Sequence, residues 1–262
     1  MASIIHKKGF KLAVSLFWIG LLLLAIFWSL GRTQNVAMKT YAVHWISEVE
    51  NPLLGEQEIT QIALDLGAKN PTHFNGKKAG ELGLDLMQTR LQNHPYIAEA
   101  QVWMGLDGCL HLNVLQRKPL FRVINQQGEG YYVEKSGIIM PLSTHYAVRV
   151  PVVTGNIDEE ATEGQKVLSP ELNDLVQMMQ LIDADPFLKA LVEQVYVDKF
   201  KEWVLIPKVG NHTIVVGNIA SIEDKFFRLK TFYMSGLNKV GWHLYRELDL
   251  RFKGQVVAKK HS

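Results

Sequence analysis

"AEAQVWMGLDGCLHLNV", Ala98 to Val114, holds two alternating runs joined by a short turn. Alternation of apolar and polar residues is the period of a strand with one buried face, so the stretch predicts a β-hairpin. A two-residue turn at Asp107-Gly108 would oppose Val102 to Asn113 and Met104 to His111, mixing apolar with polar partners on one face. A three-residue loop, Leu106 to Gly108, instead opposes Met104 to Leu110, Val102 to Leu112 and Ala100 to Val114. It also gives Gly108 the left-handed position that such loops require. The second register is the one expected.

Upstream, "VHWISEVEN" (Val43 to Asn51) begins as a strand. In "GEQEITQIALDLG", Ile59, Ile62, Ala63 and Leu66 make one helical face, with Gly67 as the expected C-cap. After a polar stretch, residues 68–78, Leu84, Met87 and Leu91 in "GELGLDLMQTRLQNHP" recur at helical spacing until Pro95. The order strand, helix, helix, strand, strand predicts a small α+β unit over roughly residues 40–118.

Downstream, "QRKPLFRVINQQGEGYYVEKSGIIMPL" and "VRVPVVTGN" read as short strands separated by glycine turns. Ser169-Pro170 offers an N-cap and a first-position proline for a helix whose face is Leu172, Leu175, Val176 and Met179. Strands are expected at Gln194–Val197, Trp203–Pro207 and Thr213–Val216, then a helix in "SIEDKFFRLKTFYMSGL". The last regular stretch is "YRELDLRFKGQVV", Tyr245 to Val257. Leu248, Leu250 and Phe252 alternate there with Glu247, Asp249 and Arg251, as in a strand with a packed face and a wet one. Residues 119–258 thus read as a second, mostly β domain with two helices.

The chain's formal charge of +2 is concentrated at its start. Lys7, Lys8, Lys11 and Arg32 precede residue 33 and no acid does, which leaves 24 basic against 26 acidic residues elsewhere. No nucleic-acid footprint is visible in that balance. Leu12 to Leu30 is 19 residues without a charge, and as a helix it would cover about 28 Å, near the thickness of a bilayer's hydrocarbon. Two readings compete: a buried core helix, which the absence of any polar face disfavours, and a cleaved signal peptide, since Ser29 and Gly31 have small-x-small spacing, although signal cores are usually about 7–15 residues. The lysines before the span set the N-terminus in the cytoplasm and everything after residue 33 across the membrane. Cys109 is the single cysteine, so no intrachain disulfide can form.

Catalytic devices are missing from the sequence: there is no GxSxG, HExxH, Walker A or Ser-x-x-Lys spacing. The nine histidines are scattered, with His94 at a helix end, His111 in the hairpin and His212 in a turn, and read as surface or turn residues rather than ligands. No cofactor and no metal is expected.

The motifs carry a resemblance. Pro95, Ile97, Ala100 and Val102 fit a P-x-I-x-x-A-x-V helix exit and strand. Val114, Gln116, Arg117 and Pro119 fit V-x-E/Q-R-x-P, and Glu134 to Gly137 with Pro141 fits a D-x-x-G-like turn. With the N-terminal span and the closing "LDLRFKGQVV", the whole chain resembles the FtsQ/DivIB bacterial cell-division proteins. Glu134 stands where Asp is common, and Met104-Gly105-Leu106 replaces a frequent R-x-W-P kind of segment. The resemblance implies a cytoplasmic tail (1–11), a transmembrane helix (12–31) in contact with the lipid bilayer, a POTRA domain (40–118), a β domain (119–258) and a short tail (259–262). It also implies a non-enzymatic scaffold of the inner membrane at the division septum, single-pass and type II. Such a scaffold would link early and late division proteins and bind FtsB-like and FtsL-like partners. On this likeness the terminal strand is a docking template, with Tyr245, Arg246, Glu247, Leu248, Asp249, Leu250, Arg251, Phe252 and Val256 as partner-binding residues. A POTRA-bearing transport or outer-membrane assembly component is the alternative; such proteins end in a long barrel, whereas about 140 residues follow the α+β unit here.

Overall fold

The computed structural model describes residues 14–24, 35–47, 52–65, 74–160, 162–167, 169–237 and 244–261. They divide into two compact units. The first takes in the described residues up to 50 together with 55–93 and 97–115; the second takes in 51–54, 94–96 and those from 116 onward. Residues 14–24 form a helix, α1, whose side chains are exposed. Residues 12–13 and 25–31 of the expected span, with Ser29 and Gly31, lie outside the described residues. Among the described residues no helix is long and apolar enough to cross a membrane.

The first unit continues with β1 (Thr40–Trp45), α2 (Glu56–Leu64), α3 (Ala79–Leu82), α4 (Leu84–Gln92), β2 (Ile97–Met104) and β3 (Cys109–Gln116). Helix α2 starts at Gly55, whose N–H donates to the Glu58 carboxylate at 2.8 Å, an acid placed where the helix dipole favours one. It ends sooner than expected: Asp65 is the C-cap, left-handed at φ 50, and its carboxylate pairs with Arg90 of α4 at 3.0 Å. Gly67 and Leu66 lie outside the described residues. The second expected helix is broken in two at Gly83, whose φ of 65 suits glycine.

The hairpin has the expected register. Gly105 N–H donates to the Cys109 carbonyl at 2.8 Å, which sets Met104 opposite Leu110. Gly108 is left-handed at φ 87, and a Cβ there would lie 2.6 Å from the Ala37 carbonyl oxygen. Strand β1 joins the outer side of β3 in parallel, so the sheet runs β1-β3-β2. Ile59, Ala63, Met87, Leu91, Leu110 and Leu112 are buried between helices and sheet.

The second unit is one mixed sheet of nine strands in the order β12-β11-β10-β9-β8-β7-β4-β5-β6. Its elements are β4 (Pro119–Ile124), β5 (Gly130–Glu134), β6 (Ile139–Met140), β7 (Val152–Gly155), α5 (Pro170–Ala184), α6 (Pro186–Leu191), β8 (Val192–Val197), β9 (Trp203–Pro207), β10 (Thr213–Gly217), α7 (Ile222–Phe232), β11 (Tyr245–Asp249) and β12 (Val257–Lys260). A π-helical turn, Tyr233–Leu237, continues α7. As expected, the Ser169 hydroxyl accepts the Leu172 N–H and Pro170 opens α5. Helix α6 is a third helix where two were expected. It is six residues long, and the Asp185 carboxylate caps it by accepting the N–H groups of Phe187 and Leu188.

The motif residues after the hairpin have structural partners within this unit. Gln116 accepts the Leu53 N–H at 2.7 Å. Arg117 N–H donates to the Tyr96 carbonyl at 2.8 Å, and its guanidinium pairs with Glu134 at 2.7 Å. Ser136 donates to the same carboxylate, and Pro119 opens β4 opposite Glu134. Charged groups this far out of water need such partners.

Candidate protein-docking edge

A nine-stranded open sheet has two edges, and each carries unpaired backbone groups unless something covers it. At one end, β6 is covered. Ile139 N–H donates to Gln165 O and Gly164 N–H donates to Ile139 O, both at 2.8 Å, and Ile138 bridges Lys166. The Ile139 and Met140 side chains are themselves buried. At the other end stands β12, paired on one side with β11 and, among the described residues, uncovered on the other.

The expected single strand from Tyr245 to Val257 is therefore two strands and a turn. β11 is an interior strand, parallel to β10 and antiparallel to β12, so its backbone is not free. The four residues Val257–Lys260, in part assigned to a tail at 259–262, form the true edge. What bends the chain lies far from it in sequence. The Arg228 guanidinium of α7 donates to the carbonyls of Leu250 at 3.2 Å and Phe252 at 2.9 Å, and also to that of Gln255. Gly254, at φ 73, completes the turn.

The hydrogen-bond directions show which β12 groups face outward. Leu250 N–H bonds Val215 O of the β10 side, and backbone groups alternate along a strand. Glu247 and Asp249 therefore point toward β12, to Lys259 and Val257. His261 N–H also points inward, to Leu244 O. Ala258 and Lys260 are left with their backbone groups turned away from the sheet.

The structure sorts the expected docking residues. Leu248 and Leu250 are fully buried, as expected. A bulge between Tyr245 and Glu247 interrupts the alternation, and Tyr245 packs edge-to-face on Phe232 of α7 at 5.9 Å. Val256 packs against the same core. Phe252, expected in that core, is 47% exposed, because the turn carries it out. Asp249, expected on the wet face, is 1% exposed. Its carboxylate accepts from the Arg251 backbone and guanidinium, and Arg251 reaches on to Glu202 at 2.7 Å. Burial alone would raise the Asp249 carboxyl, but the Arg251 hydrogen bonds outweigh it and hold it below the usual range. The Arg251 guanidinium is correspondingly raised by Asp249. Arg246 is exposed, and Glu247 pairs with Lys259 at 2.5 Å.

Three exposed features were not expected: the Lys259-Lys260 pair on β12, the ring of Phe227 on α7, and Met234 in the π-helical turn that follows it. Apolar spacing on α7 marks its buried face and is silent about a second, exposed one.

Residues 118–259 match the family model described as FtsQ/DivIB, C-terminal related. The chain is also similar to the protein named Cell division protein FtsQ in Salinibacter ruber (strain DSM 13855 / M31), with 26% identity over 181 residues, 66% of this chain and 68% of that protein.

Proposed function

The chain belongs to the FtsQ/DivIB, C-terminal related family, and from that premise we propose that it is a non-enzymatic scaffold of the bacterial division machinery. In this reading residues 12–31 anchor it in the inner membrane, residues 1–11 stay in the cytoplasm, and the bulk of the chain lies in the periplasm at the septum. Residues 40–118 act as a POTRA domain, a reading supported by the β1-β3-β2 sheet under its helices. Residues 119–258, extended through β12, take up FtsB-like and FtsL-like partners that control septal peptidoglycan synthesis.

The observation that carries this is the asymmetry of the nine-stranded sheet: β6 is closed by residues 164–166, while β12 presents Ala258 and Lys260 outward. An added strand can satisfy those groups directly, and main-chain hydrogen bonds then supply affinity while neighbouring side chains supply selection. Lys259 and Lys260 favour an acidic strand, and the exposed ring of Phe252, in the turn that leads into β12, favours an apolar residue next to it. Depletion of the protein in its own bacterium tests the reading. Long undivided cells with a septal loss of the FtsB-like partner are expected; normal division at full depletion contradicts it.

A further inference from the structure

The β2–β3 turn lies at the end of the first unit where the chain enters it. Lys39 N–H donates to the Gly108 carbonyl at 2.8 Å, and Ala37 bridges Lys78. Strands β1 and β3 are parallel, with Thr40 in register with Cys109, so both start here and run away from this end. Leu106, in the turn itself, is 76% exposed, more than any other large apolar side chain among the described residues. Trp103 on β2 and Tyr41 on β1 are also exposed, and Trp103 is held by stacking on His111 at 5.0 Å. Tyr41 is in register with Leu110, which stands opposite Met104, so alternation sends Tyr41 to one face of the sheet and Trp103 to the other. An apolar tip is thus flanked by an amphipathic ring on each face.

Cations collect at the same end. Lys39 is exposed beside the turn, the Lys77 carbonyl accepts the Met38 N–H, and the Lys78 ammonium donates to Asn35 at 3.3 Å. The acids in this cluster are turned to backbone N–H groups: Asp107 accepts from Cys109, and Glu81 from Lys78. Exposed leucine, tryptophan and tyrosine with lysines around them are the side chains that settle at a lipid headgroup boundary.

The length of the tether brings a bilayer to this tip. In the anchor reading proposed above the span ends at Gly31, and the Val36 carbonyl is already fixed by the Ala79 N–H. Those five residues reach at most about 18 Å when fully extended, so the entry end of the unit is held beside the headgroups. Resting on that anchor, we infer that the Leu106 turn is a membrane contact. Leu106 enters the boundary between headgroups and acyl chains, Trp103 and Tyr41 lie at headgroup level, and Lys39, Lys77 and Lys78 meet the phosphates of anionic phospholipid. The unit then rests end-on, with β1 and β3 running away from the bilayer.

The test is photolabelling of the full chain in phosphatidylglycerol-containing vesicles by a phospholipid with a diazirine near the glycerol end of its acyl chain. Tandem mass spectrometry locates the labelled residues. Label is expected at Leu106 and its turn neighbours several-fold above that at exposed Asn93, which follows α4 at the opposite end of β2. Leu106→Asp, and separately Lys39→Glu combined with Lys78→Glu, should each lower the label at the turn several-fold and leave that on residues 12–31 unchanged. A chain that resists alkaline extraction and is labelled at 12–31, but no more at the turn than at Asn93, overturns the inference and leaves the anchor standing. Label at the turn that neither variant lowers overturns it equally. A chain released by alkali and unlabelled at 12–31 overturns both readings. Leu106 is exposed in a turn, so Leu106→Asp leaves the fold intact, and an unchanged melting temperature verifies it.

Discussion

His212 is 3% exposed, and its Nε2 lies 2.6 Å from the Tyr233 hydroxyl at the end of α7. Its Nδ1 is buried with no hydrogen-bond partner among the described residues. Burial lowers the His212 pKa below its usual 6.5, because a charged ring there would lose its water. A histidine depressed in the folded state takes its proton more readily when unfolded, so stability is complete above about pH 6.5 and falls as pH drops through that value toward the folded pKa. Each unit of depression is about 1.4 kcal/mol. Thermal melts between about pH 7.5 and pH 5.5 should therefore drop more steeply for the parent than for His212→Gln, and parallel slopes would refute this. Asp249 gives a second test at this scale. Asp249→Ala should cost about 1–3 kcal/mol, since it strips a buried partner from Arg251, while Arg246→Ala should stay within about 0.5 kcal/mol; chemical denaturation reads both. The sequence placed Asp249 on a wet face because alternation records only which side a residue points to. What lies on that side, here Arg251 held by Glu202, comes from elsewhere in the chain.

At the scale of elements, legibility followed the range of the interactions. The Ala98–Val114 hairpin was readable down to its register because its determinants, opposed apolar pairs and Gly108, sit within the stretch itself. So were the Ser169-Pro170 start of α5 and the span of β9. "YRELDLRFKGQVV" was misread as one strand because what ends β11 is Arg228, 22 residues before Leu250. Helix α6 was missed because six residues carry too little periodicity to separate from a loop. The edge itself makes a prediction. Proline is tolerated where a strand's N–H faces away from the sheet, so Ala258→Pro should leave the melting temperature nearly unchanged yet abolish capture of the partner in a pull-down. Val257→Pro, which removes a donor facing β11, should instead destabilise the edge itself. Partner capture by a folded Ala258→Pro chain would mean that docking occurs elsewhere.

At the scale of the whole molecule, the proposed N-terminal anchor precedes a family domain whose sheet, among the described residues, is uncovered at β12. The proposal of an anchor rests on the uncharged stretch Leu12 to Leu30 and the lysines before it. A reporter active only outside the cytoplasm, fused after Ser262, should give signal, and the protein should resist alkaline extraction; a soluble chain beginning near Arg32 would show a cleaved signal instead. Docking at β12 is tested most directly by amide hydrogen exchange on the full chain with and without the proposed FtsB-like partner. The Ala258 and Lys260 amides should exchange quickly in the free protein and slow by orders of magnitude in the complex, while those of Glu247 and Asp249 change little. Slowing elsewhere with Ala258 and Lys260 still unprotected would contradict strand addition at β12.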